Sequence, residues 1–152
     1  MDLRMQLNEQ AQSGEQGVYP FEMAVRWGDL DALNHVNNTV YFRYMEEARV
    51  HCARACGIGV AGSGRDIVLA NVSCDFLRPV LWPATVQIDT RLRRIGGSSI
   101  EFEVEISVKG EEGCCARASS VIVGVDTETG RSSPWTQAEL EGVARVFFPA
   151  GL

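Results

Sequence analysis

Between Val25 and Tyr41 the chain carries two carboxylates, Asp29 and Asp31, a histidine, His35, and two adjacent amides, Asn37 and Asn38. A carboxylate can attack an electrophilic centre or activate water, and nearby N–H groups can take up the negative charge that such an attack creates. The run leads into a segment where Tyr41, Tyr44, Met45, Ala48, Cys52 and Ala55 recur at the i, i+3, i+4 spacing of a helix with one apolar face. Asn37 or Asn38 is then the expected N-cap. The first amides of a helix have no intrahelical partner and lie at the positive end of its dipole. An oxygen gaining charge would be stabilised there, with a carboxylate just upstream to act on the electrophile beside it.

The elements that position this run follow from periodicity. A strand-like segment, Phe21 to Trp27, precedes it. The helix should end near Cys56 and Gly57, where a Gly-rich loop, Gly57 to Gly64, begins. Ile67 to Phe76 follows as a strand rich in Val, Ile and Leu, and Ala84 to Ile95 alternates through Val86, Ile88 and Leu92. Gly96-Gly97 is a two-residue hairpin signal into Ser98 to Val108, which places Ile100, Phe102, Val104, Ile106 and Val108 on one face and Glu101, Glu103, Glu105 and Ser107 on the other. Cys114 to Val125 reads as the last strand, ended by Asp126 to Gly130. Thr136 with Glu139 forms a capping box for a short helix reaching about Arg145. The order predicts an α+β fold in which one long helix covers one face of an antiparallel sheet.

With 152 residues, 45% of them apolar, the chain can bury one core, assigned to residues 18–152 as a single domain. Residues 1–17 are polar and read as a flexible tail, neither a signal peptide nor a membrane span. A net charge of -6 weighs against a nucleic-acid partner. Thirteen of the fourteen basic residues are Arg, a bias toward fork-shaped contacts with phosphate or carboxylate. Cys52, Cys56, Cys74, Cys114 and Cys115 make an odd set without disulfide-scaffold spacing, which predicts reduced thiols and a cytoplasmic setting.

The run Gly28-Asp29-Leu30-Asp31, with His35-Val36-Asn37-Asn38, Tyr41 and Glu46-Glu47-Ala48-Arg49, resembles the signature of hotdog-fold acyl-CoA thioesterases of the 4-hydroxybenzoyl-CoA thioesterase-like family. The likeness spans Phe21 to about Pro134, through Val72-Ser73-Cys74-Asp75-Phe76, Arg78-Pro79, the Gly96-Gly97-Ser98-Ser99 turn and the Asp126 to Gly130 exit. It implies a long helix wrapped by a curved antiparallel sheet of five or six strands, and a homodimer or homotetramer with the active site at the subunit interface. The implied reaction is hydrolysis of an acyl-CoA thioester to free acid and coenzyme A, with no metal and no cofactor, coenzyme A being part of the substrate. The family's catalytic acid falls on Asp31, as nucleophile or general base, and its carbonyl-polarising amide on Asn38. His35, Asn37 and Tyr41 become candidates for substrate binding. Arg93, Arg94 and Ser98 beside the hairpin become candidates for the coenzyme A phosphates, since an acidic protein needs a local Arg group to hold them. One branch of the family places a histidine at the helix start; this chain has Asn38 there.

The same residues have plainer readings. Asp31 alone would pass for a capping carboxylate, Asp29 reads as structural, and His35 as a packed residue that orients the loop. Gly57-Ile58-Gly59-Val60-Ala61-Gly62 has the spacing of a dinucleotide fingerprint but follows a helix instead of joining a strand to one. His51, Cys52 and Cys56 do not complete a zinc set, and Cys114 and Cys115 point to opposite faces of a strand. Carrier-protein thioesters, a hydratase reaction and non-catalytic binding of acyl thioesters stand as alternatives.

Overall fold

The computed structural model describes residues 2–152. In chain order it contains helix α1 (Leu3–Ser13), strand β1 (Tyr19–Ala24), a 3-10 turn (Trp27–Asp29), helix α2 (Asn38–Cys56), strands β2 (Arg65–Phe76), β3 (Thr85–Ile95), β4 (Ser99–Val108) and β5 (Cys114–Asp126), and helix α3 (Gln137–Phe147). The strands form one antiparallel sheet in the order β1-β3-β4-β5-β2. It curves around α2, which is the hotdog arrangement of the α+β class, built with five strands.

Alternation along the strands supplies the core. Val86, Ile88 and Leu92 of β3 and Ile100, Phe102 and Ile106 of β4 are buried, and Tyr44, Met45, Ala48 and Cys52 of α2 are buried with them. The apolar stripe of α2 continues to Ala53 and Cys56, while Ala55, expected on that face, is exposed. The last turn of α2 is covered by α3, and Gly142 is what lets α3 come so close: a Cβ at that position would collide with the Cys56 carbonyl. The capping box of α3 is present, with Thr136 Oγ1 accepting from Glu139 N–H at 3.1 Å and Thr136 N–H donating to Glu139 Oε1 at 2.8 Å. The nearly buried Glu139 carboxylate also receives the Arg65 guanidinium at 3.0 Å, tying α3 to the start of β2. The β3–β4 hairpin closes where Gly96 N–H donates to Ser99 O at 2.8 Å, so its two turn residues are Gly97 and Ser98, one position beyond the Gly96-Gly97 signal.

Of the tail expected over residues 1–17, Met1 lies outside the described residues, and residues 2–17 do not form a free tail. They include α1, whose N-cap Asp2 accepts from Met5 N–H at 2.8 Å and whose Leu7 is fully buried. β1 pairs with β3 only as far as Thr90. Beyond that point Gln16 exchanges two hydrogen bonds with the backbone of Leu92, both 2.7 Å, and Asn8 exchanges two with the backbone of Ile95, at 2.7 and 2.9 Å. Two side-chain amides thus stand in for a neighbouring strand and satisfy backbone groups that β1 leaves open. No helix among the described residues is long and apolar enough to cross a membrane.

Candidate active site

The loop between the 3-10 turn and α2 is held as a narrow reversal. Leu30 and Val36 form an antiparallel bridge, and Asp31 N–H donates to His35 O at 2.8 Å. Val36 N–H donates to Val80 O at 2.9 Å, which docks the loop on the chain that follows β2. Asn34 turns the corner at φ +62°, a left-handed conformation that an Asn tolerates better than most residues. These bonds fix Asp31. Its Oδ1 accepts from Leu33 N–H at 2.8 Å and His35 N–H at 3.4 Å, and its Oδ2 has no donor among the described residues.

Asn37 is the N-cap of α2. Its Oδ1 accepts from the Thr39 N–H and hydroxyl, each at 3.0 Å, and its own N–H donates to Asp29 O at 2.9 Å. Asn38 is therefore the first helical residue, and its N–H has no acceptor among the described residues. A cleft of about 300 Å³ brings Asp31, His35, Asn38 and Tyr41 together, walled by Leu33, Val36, Phe76, Leu77, Arg78 and Pro79. Asp31, with a carboxylate oxygen that has no donor, and Asn38, with an N–H that has no acceptor among the described residues, thus line one small space.

The other expected residues serve around it. Asp29 is a brace: its Oδ2 accepts from Arg26 N–H at 2.9 Å and from the Tyr44 hydroxyl at 2.7 Å. Burial first, and the bond to Asp29 second, push the Tyr44 hydroxyl far up, so it stays a donor to that carboxylate. The Tyr41 hydroxyl accepts from Val80 N–H at 3.2 Å and is also pushed up by burial, while its ring meets Phe76 edge-on at 5.2 Å to form one wall. His35 bonds through its backbone to Asp31 and lines the cleft. Asn37 acts through its cap and does not line the cleft.

Arg93, Arg94 and Ser98 lie apart from the cleft. A bulge between Leu92 and Arg94 exposes both arginines in succession. Arg93 spans the sheet surface to Glu103 at 3.0 Å and Glu101 at 3.8 Å, while Arg94 has no ion pair among the described residues. Ser98 sits in the hairpin turn, its carbonyl accepting from Gly124 N–H at 2.8 Å. The contribution of Phe76, Leu77, Arg78 and Pro79 was not anticipated as part of the site. The signal available for it was the end of a strand at Phe76 followed by Arg78-Pro79, a stop that must place side chains at the rim of the sheet.

A long helix gripped by a curved sheet, with an acid-bearing loop folded over its N-terminus, defines a hotdog-fold protein of the thioesterase class. The chain belongs to the Thioesterase-like superfamily, whose model matches residues 25–143. It is similar to the solved structure of PA2801 from Pseudomonas aeruginosa, described as a candidate thioesterase, with 33% identity and a TM-score of 0.77 over 83% of this chain and 98% of that one. It shares its fold with Slr0204 from Synechocystis, a 1,4-dihydroxy-2-naphthoyl-CoA thioesterase, at 17% identity and a TM-score of 0.75 over 84% of this chain and 96% of that one. It is also 28% identical over 121 residues to the protein YsmA of Bacillus subtilis (strain 168), covering 79% of this chain and 81% of that one.

Proposed function

We propose that this chain hydrolyses acyl-CoA thioesters to a free acid and coenzyme A. The observation that carries the reading is that Asp31 and Asn38 line one small cleft, with Asp31 Oδ2 and the Asn38 N–H without protein partners among the described residues. A thioester carbonyl oxygen placed on the Asn38 N–H develops charge at the positive end of α2, where the helix dipole favours it. The Asp31 carboxylate lies on the other side of the carbonyl carbon, to attack it or to draw a proton from the attacking water. Either route breaks the C–S bond, takes up one water and releases a thiol. The reaction draws on no metal or redox group, and free thiols at all five cysteines fit a reducing, cytoplasmic setting.

The working unit in this proposal is a homodimer. β2 is twelve residues long and lies at one edge of the sheet, and Val68, Leu69, Phe76 and Leu77 on it and just after it are exposed. An unpaired apolar edge of this length is a template for a second copy, and pairing there brings the partner against Phe76 and the cleft. The test is release of free thiol from short, long, branched and aromatic acyl-CoAs by the native chain and by Asp31→Asn, with sedimentation to give the oligomeric state. Turnover should fall by about 10²- to 10⁴-fold in the variant. Turnover that Asp31→Asn leaves unchanged would overturn the assignment of the acid.

A further inference from the structure

Arg78, exposed where it lines the cleft, is a cation that the reaction above does not use. Arg78 Nη2 donates to the carbonyls of Glu112 at 2.9 Å and Gly113 at 3.4 Å and touches Cys115 Sγ at 3.7 Å. Two backbone carbonyls and a sulfur all engage one nitrogen and hold the guanidinium in place, while the Glu111 carboxylate acts on it from beyond ion-pair distance. Arg65, Arg93 and Arg117 each face a glutamate; among the described residues no carboxylate forms an ion pair with Arg78. Arg78 and Pro79 also lie where the Asp31 cleft meets an adjoining groove of about 530 Å³, walled by Leu81, Pro83 and Val108 with Glu111 and Glu112 at its rim. A substrate arm that leaves the reacting centre in this direction must pass Arg78.

Reach and charge decide which arm that is. The phosphates of coenzyme A lie a whole pantetheine arm away from the thioester, whereas Arg78 shares a cleft of about 300 Å³ with Asp31 and Asn38. A polyanionic nucleotide would also meet the carboxylates of Glu111 and Glu112, while a single carboxylate directly on the guanidinium is neutralised by it. A short acyl chain satisfies both conditions, its methylenes against Leu77 and Pro79 and a terminal carboxylate on the unspent N–H groups of Arg78. Resting on the thioesterase reading of Asp31, we propose that Arg78 selects acyl thioesters that end in a carboxylate, the mono-thioesters of short dicarboxylic acids.

The experiment compares succinyl-, glutaryl- and adipyl-CoA with the neutral acyl-CoA of the same chain length, using the native chain, Arg78→Gln and Arg78→Lys, each checked for folding by circular dichroism. Arg78→Gln should lower kcat/KM for the carboxylate-bearing thioester about 10- to 100-fold, mostly through KM, leave the neutral partner within about threefold, and be partly rescued by Arg78→Lys. Equal losses on both members would make Arg78 a brace of the 110–113 hairpin and overturn the proposal. So would no loss at all. A loss on neutral acyl-CoAs that vanishes with the N-acetylcysteamine thioester would assign Arg78 to the carrier phosphates and overturn it equally. Should the native chain release no thiol from any of them or from the long, branched and aromatic acyl-CoAs, the hydrolytic reading fails. Calorimetric binding of the glutaryl-CoA analogue with carbon in place of sulfur, against its neutral counterpart, then decides Arg78 by itself: charge-dependent affinity lost in Arg78→Gln upholds the selection, and its absence overturns it.

Discussion

At the head of α2, replacing Asn38 by alanine and by proline separates the side chain from the backbone. The proposed carbonyl contact is the Asn38 N–H, which the Asn38 side chain does not supply, so Asn38→Ala should leave kcat within a few-fold. Proline is favoured at the first helical position, and Asn37 already holds φ -59°, ψ 139°, the region a residue before proline prefers. Asn38→Pro therefore removes one N–H with no acceptor and preserves the helix; kcat should fall about 10²- to 10³-fold with an unchanged melting temperature. Steady-state kinetics beside thermal unfolding reads both. Asp31 and Asn38 could be found in the sequence because they lie seven positions apart in one turn-to-helix run, where spacing alone sets geometry. Arg93 could not be judged that way. Its charge was visible, but its ion pairs with Glu101 and Glu103 form across a hairpin whose bulge shifts the register. Phe76 and Arg78 join the cleft through tertiary contacts, Val36 and Tyr41 with Val80 and Tyr41 with Phe76.

Helices α1 and α3 show where element-scale reading succeeds and where it stops. The capping box and apolar spacing of α3 are local, and they predict its far end to within about two residues. α1 is polar apart from a few residues, and its support comes from Leu7 in the core and from amides that meet β3 76 and 87 residues later, a relation no periodicity contains. Leu7→Ala should cost about 2–5 kcal/mol in urea unfolding, which a loosely attached tail would not show. Asn8→Ala strips the backbone of Ile95 of its partners and should cost about 1–3 kcal/mol. Gly142, inside α3, is a point of contact with the end of α2. Gly142→Ala gains helix propensity yet forces a methyl group into the Cys56 carbonyl, so the variant should be less stable than the native chain despite its better helix former.

Across the whole molecule, buried and half-buried proton donors weaken the fold at alkaline pH. Burial, with Asp75 nearby, pushes the Cys74 thiol up to about 11 from an ordinary 9.0, and Tyr41 and Tyr44 are raised from 10.0. The folded chain therefore holds these protons more tightly than the unfolded one, and stability falls where the unfolded chain releases them first. The contribution is intact below about pH 9 and is lost as the pH rises, for Cys74 between about 9 and about 11. Denaturant midpoints measured from pH 7 to 11 should be flat and then decline, and Cys74→Ala should flatten the first part of the decline. The two borders of the sheet differ in kind. β1 is six residues long and includes Pro20, which offers no N–H outward, while β2 is twelve residues long and bare. A chain with two receptive borders could add copies without end. One that has a single receptive border is used up by its first two-fold partner, so in the proposed homodimer the asymmetry that invites pairing would also terminate it and keep a strand-built assembly from growing into a fibre.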